Sequence, residues 1–176
     1  MLNSRDPGTA LPEVAEADVR VEDQFNSRSP IGATLLIYCY GRSCHEQARI
    51  YRRNRTYVSI SKKMMQLKSN GLRFLADVIE AVGPQPGASG RTLTGAGPGE
   101  SYHNYGLAFD AAPMMGGKIV WGTKQAEDLA LWLEYGEAVK QVGLVWAGGW
   151  SPKKREYPHA KLGSGNPLAG LSAAEA

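Results

Sequence analysis

Ser101-Tyr102-His103-Asn104-Tyr105-Gly106-Leu107-Ala108-Phe109-Asp110 is the stretch on which the rest of the chain turns. It holds one of only three histidines, an acid seven residues further on, and a glycine between them. On a straight helix seven residues advance about 10.5 Å, and on a straight strand about 23 Å. Metal–ligand bonds from nitrogen and oxygen run about 2 Å, so His103 and Asp110 share an ion only if the chain folds back. Asn104-Tyr105-Gly106 supplies the turn, because glycine tolerates positive φ and asparagine nearly so. Leu107-Ala108-Phe109 then reads as a short apolar strand ending in Asp110. The expectation is a loop that returns the His103 imidazole to the Asp110 carboxylate.

A second stretch, Glu156-Tyr157-Pro158-His159, supplies further candidate groups. Pro158 disfavours helical geometry at Tyr157 and lacks a backbone donor, so this pair does not sit on a helix. A strand from His159 to about Leu162 is predicted. Side chains alternate across a strand, so Glu156 and His159 face one cavity only if the chain bends at Pro158.

Taken together, Ser101-x-His103-x-x-Gly106-x-Ala108-x-Asp110, the downstream Trp146-Ala147-Gly148-Gly149-Trp150 run and Glu156-x-Pro158-His159 resemble one family. It is the zinc D-Ala-D-Ala carboxypeptidase / L-alanyl-D-glutamate endopeptidase family, which includes phage endolysins. The resemblance runs from about Leu35 to about Leu162. It implies an α+β fold, a small antiparallel sheet flanked by helices of the Hedgehog/DD-peptidase kind. It implies one Zn2+ ion held by His103, Asp110 and His159, with Glu156 as the catalytic carboxylate. It implies Arg42 as a second catalytic group, with Gln47 and Ser101 on the substrate side. The implied substrate is the stem peptide of peptidoglycan. The endopeptidase branch usually carries Asp where this chain has Glu156, and Glu is the habit of the dipeptidase and carboxypeptidase branches. The scissile bond therefore stays open between L-Ala-D-Glu and D-Ala-D-Ala. A non-cutting zinc protein that binds the wall, or a phage structural protein, is the competing class.

The 176 residues suffice for one domain with a real core. Hydrophobic residues at 43% and charged residues at 21% are ordinary for a globular protein. The expected organisation is an N-terminal arm over residues 1–30, a catalytic domain over residues 31–162 and a flexible tail over residues 163–176. A net charge of +3 suits approach to an anionic polymer without demanding it. No basic block interleaved with aromatics argues for nucleic acid. No segment is apolar for long enough to span a membrane. The first residues lack the apolar core of a secretory signal, and the resemblance implies release onto the wall by a holin or a secretion machine. A monomer is expected. Cys39 and Cys44 are too few for a disulfide scaffold and read as small fillers near a strand end.

In chain order, Leu11, Val14 and Val19 hint at a weak helix or an arm packing on the core. Ala33 to Tyr40 reads as a central strand. Gly41-Arg42 ends it, and Ser43 with Glu46 matches a capping box for a helix to about Arg53. That corner holds Arg42 rigid. The side chain would grip a substrate carboxylate or steady an oxyanion, and a solvated arginine is the plain alternative. Arg49, Arg52, Arg53 and Arg55 read as a solvated face. Residues 61–82 carry apolar positions at helical spacing, Met65 and Phe74 among them, split near Ser69-Asn70-Gly71 into two helices. Residues 83–100 read as loop, with a short strand at Thr92–Thr94. Lys118–Trp121 reads as a strand hairpinned through Met114–Gly117. Thr123 is the expected cap of a helix to about Val142, followed by a strand at Leu144–Trp146. Trp146 or Trp150 would wall the cleft. His45, on a first helical turn, is left out of the metal set.

Overall fold

The structure is a computed structural model and describes residues 4–30, 32–83, 92–164 and 167. The described chain divides into two compact units, one of residues 42–104, the other of residues 4–41 with residues 105–164.

The second unit contains the sheet. Strands β1 (Ala33–Cys39), β2 (Ala108–Met115), β3 (Lys118–Ile119), β4 (Val145–Trp146) and β5 (His159–Lys161) lie in the order β1-β2-β5-β4, with β3 paired to β2. Every pairing is antiparallel. With five α-helices and this small sheet among the described residues, the chain is α+β, as the resemblance implied. The expected short strand ending in Asp110 is longer than its apolar run. Asp110 lies inside β2, which continues past Pro113 because the Pro113 carbonyl still accepts from the Val120 amide at 2.8 Å.

Two helices close the core of this unit. Helix α1 (Pro12–Arg28) starts with proline, whose missing N–H costs nothing in a first turn. Val14, Ala17, Val21 and Phe25 recur on one face and are buried. The N-terminal stretch thus forms a full helix packed into the core. Helix α5 (Ala126–Gln141) buries Leu131, Trp132, Tyr135, Ala138 and Val139. Its cap position falls on Gln125 with no side-chain cap, not on Thr123. Glu127 and Asp128 in the first turn complement the exposed amides instead. The Trp146 indole is buried between Gly136 of α5 and Gly148 of the 3-10 turn after β4, and a Cβ at either glycine would overlap it.

The first unit holds α2 (Cys44–Arg52), α3 (Tyr57–Ser69) and α4 (Arg73–Ala81). Ser43 caps α2 by accepting from the Glu46 amide at 3.2 Å. Glu46 Oε2 is buried without a hydrogen bond. Gly71, at φ 79°, marks the break between α3 and α4. Ala48, Ile60, Leu67, Leu75, Ala76, Val78 and Ile79 form the core. Met65 and Phe74 point to solvent, outside that core. Residues 92–94 form no strand. The arginine cluster is divided. Arg49 and Arg53 are exposed, whereas Arg52 is buried and donates to the Ile79 carbonyl at 2.9 Å. Arg55 lies over the Tyr51 ring and donates to the carbonyls of Tyr51 and Thr94. The loop expected over residues 84–91 and the tail beyond residue 164, Pro167 apart, lie outside the described residues.

Gly136→Ala sets two effects against each other. Alanine favours a helix interior by about 1 kcal/mol over glycine, while overpacking a buried position costs about 1–3 kcal/mol. The indole has no free side to move into, so a net loss of stability is expected, read as a lower urea midpoint at unchanged m-value.

Candidate metal centre

Asp110 and His159 are brought together by the sheet. They are opposite partners across β2 and β5, and directly opposed residues present their side chains on one face. The His159 Nδ1 and Asp110 Oδ1 atoms lie 3.1 Å apart, with His159 buried and Asp110 nearly so. Two donors on one zinc at bonds of roughly 2.1 Å and tetrahedral angles stand about 3.4 Å apart. The nitrogen–oxygen pair fits that spacing and that donor chemistry.

The bend expected at Pro158 is present. The His159 amide donates back to the Glu156 carbonyl at 3.3 Å, which closes a turn over Tyr157-Pro158. Each carbonyl of the turn is held. Trp146 Nε1 donates to Tyr157 at 2.7 Å. The Pro158 carbonyl accepts from the Ala111 amide at 3.0 Å and from the Tyr135 hydroxyl at 2.9 Å. Burial, with the charge of Asp110 adding, pushes the Tyr135 phenol well above its usual range, so it stays a donor at every physiological pH. Glu156 itself is exposed. Trp150, not the core residue Trp146, stands beside the Asp110–His159 pair, its ring edge-on to His159 with centroids 6.1 Å apart.

Gly106 fixes the approach to β2. Its φ is 67°, and a Cβ there would meet the Thr9 carbonyl oxygen at 2.9 Å and the Leu11 amide at 3.0 Å. Its own carbonyl accepts from that amide. The turn read from Asn104-Tyr105-Gly106 therefore needs glycine for its backbone angle and for close packing.

The remaining predicted residues belong to the first unit. Arg42 Nη1 donates to Gln47 Oε1 at 3.0 Å, and Gln47 Nε2 donates to the Ala96 carbonyl at 2.8 Å. The Arg42 amide donates to the His103 carbonyl at 3.1 Å, and Asn104 Nδ2 donates to the Arg42 carbonyl at 2.8 Å. Asn104 also accepts from the Gly99 amide at 2.9 Å. Arg42, half-buried, is thus held through both its backbone and its side chain. Ser101 and His103 are both buried. His45 is exposed and stands outside the set.

Sequence reasoning passed over Cys39. It is wholly buried, forms no disulfide, and is the Cα partner of Asp110 on β1. Its sulfur and an Asp110 carboxylate oxygen lie within 4.8 Å. Strand alternation alone would not have found it, because the register shifts between Ile37 and Cys39.

Residues 94–162 match the family model described as D-alanyl-D-alanine carboxypeptidase. This matched segment covers 69 residues, less than half of the chain. It contains Ser101, His103, Asp110, Glu156 and His159, while Cys39, Arg42 and Gln47 lie upstream of it. The peptidoglycan L-alanyl-D-glutamate endopeptidase CwlK of Bacillus subtilis (strain 168) is 39% identical over 77 residues, which is 42% of this chain and 46% of that protein. The matched stretch spans less than half of either chain. Among the described residues, no helix is long and apolar enough to cross a membrane.

Tyr135→Phe removes one of the two donors to the Pro158 carbonyl. A stability loss of about 0.5–1.5 kcal/mol is expected, measured by urea unfolding. The Ala111 amide still holds the carbonyl, so folding is retained.

Proposed function

We propose that the protein is a zinc-dependent peptidase that hydrolyses the stem peptides of peptidoglycan. The observation that carries this reading is the close Asp110–His159 pair, within the segment that matches the family. His103 completes the proposed ligand set. Its support is the chain itself, since seven residues and the left-handed turn at Gly106 connect it to Asp110. Three protein ligands with one position open is the pattern of catalytic rather than structural zinc. A zinc ion held there would polarise the scissile carbonyl and lower the pKa of water toward about 7.

The residues divide the remaining work. Glu156 takes a proton from the attacking water and later delivers it to the leaving amine. Its place three residues before His159, at the start of a turn whose carbonyls are all held, supports that role. Arg42 steadies the carbonyl oxygen as charge builds on it, and Gln47 keeps the guanidinium in place. Ser101 contacts the peptide.

The favoured scissile bond is L-alanyl-D-glutamate, on the printed activity of the Bacillus relative. The description of the matching family favours D-Ala-D-Ala as the second reading, and so does glutamate at position 156. Action on the wall after release by a holin or secretion machinery, as a monomeric endolysin, belongs to the same proposal.

Digestion of purified peptidoglycan followed by mass spectrometry of the fragments tests the reading and separates the two bonds. New L-alanine termini are expected for endopeptidase action, and released D-alanine for the alternative; intact wall with zinc supplied would reject both. Glu156→Gln should bind zinc as tightly as the parent and lose cutting by at least about 100-fold. Equal activity in the two proteins would remove Glu156 from the mechanism. Asp110→Ala and His159→Ala should each weaken zinc binding in calorimetry and leave less than one ion per chain after dialysis.

A further inference from the structure

The sheet carries a third donor in the row of the metal pair. Cys39, Asp110 and His159 are successive cross-strand partners on β1, β2 and β5. Regular alternation would not put the thiol there. Ile37 pairs Ala111, so an unbroken ladder would set Tyr38 opposite Asp110 and turn Cys39 to the other face. The register shift between Ile37 and Cys39 inserts one residue and gives Cys39 the place opposite Asp110. Bulges of this kind re-aim side chains, and they recur beside functional sites. The result is a buried sulfur, a nearly buried carboxylate and a buried imidazole in one row. Sulfur and carboxylate oxygen lie within 4.8 Å, and carboxylate and imidazole lie 3.1 Å apart.

We propose that Cys39 is a further protein donor to the metal and caps it in the resting protein. The proposal rests on the zinc reading above. Zinc takes sulfur at about 2.3 Å and oxygen at about 2.1 Å, which separates the two donors by roughly 3.6 Å in a tetrahedron. Closing the present gap to that value is within side-chain adjustment. A fourth protein donor fills the corner that hydrolysis needs open, so the resting site holds its ion tightly and works slowly. Sulfur also biases the site toward zinc, cobalt and cadmium over magnesium and calcium. Substrate must displace the thiol, or draw the ion into five-coordination, before cutting begins.

The test uses the full chain, kept reduced, with one equivalent of cobalt(II). The parent should show visible ligand-field bands and, in the near ultraviolet, a thiolate-to-cobalt charge-transfer band. Cys39→Ser should keep the visible bands, lose the charge-transfer band, and yield its zinc to a chelator about tenfold more readily or faster still. Its wall-cutting turnover per bound zinc should rise. Affinity and turnover moving in opposite directions mark a capping ligand, because a merely structural cysteine would lower both. Cobalt bound by the parent without the charge-transfer band overturns the role of Cys39 and leaves the zinc reading standing. A band that survives in Cys39→Ser also overturns it, by pointing to Cys44. A parent that binds no cobalt overturns both. The parent spectrum alone decides ligation, so the proposal stays exposed even if the variant folds poorly.

Discussion

The turn from Glu156 to His159 is the constraint on which the Asp110–His159 pair depends. A proline at position 158 disfavours a regular entry into β5, and the Tyr157 and Pro158 carbonyls turn away from local partners. Buried carbonyls must find donors. Here the donors come from elements far away in sequence. Trp146 of β4 and Tyr135 of α5 supply side chains, and Ala111 of β2 supplies its amide. The same bonds that satisfy the turn therefore set the height of His159 against Asp110. A histidine placed by a flexible loop would spend most of its time elsewhere. This one is placed by the core of the sheet unit.

The corner at Arg42 obeys a similar logic in the other unit. A guanidinium is useful at a reacting carbonyl only if its fork is already aimed. Gln47, fully buried one turn into α2, holds that fork and is itself anchored on the Ala96 carbonyl. Asn104 ties the backbone of the corner to the segment that carries Ser101 and His103. The coil of residues 94–104 has no regular structure of its own for most of its length. It is ordered instead by side-chain caps such as Glu100 on the Gly97 amide and its ion pair with Lys63.

Much of this was legible in the residues. The apolar run at residues 33–40, the serine cap at residue 43, the break at Gly71 and the turn at Gly106 are local signals, and local physics decided them. Where several donors competed, the sequence was less informative. Arg52 and Arg55 look like their exposed neighbours, yet each meets a carbonyl that only the fold brings near, Ile79 for Arg52 and Thr94 for Arg55. Thr92–Thr94 has strand-forming residues but no partner edge, and the Thr94 carbonyl goes to Arg55 instead. The approach of Asp110 to His159 was legible as a motif, while the bulge that brings Cys39 to the same row was not. A one-residue shift leaves no compositional trace, because Tyr38 and Cys39 suit either face.

The slot that holds Trp146 has a bearing on how this sheet unit can diverge. An indole fitted between two bare α-carbons leaves positions 136, 146 and 148 to drift only as a group. A side chain can be gained at either flank once the ring has shrunk, and the ring can be regained only after both flanks are bare again. The same indole donates the bond that holds the Tyr157 carbonyl, so shrinking it first would loosen the turn ahead of His159. Lineages that keep the histidine should therefore show tryptophan and the two glycines inherited together, with epistasis between helix and turn stronger than between neighbours in the chain.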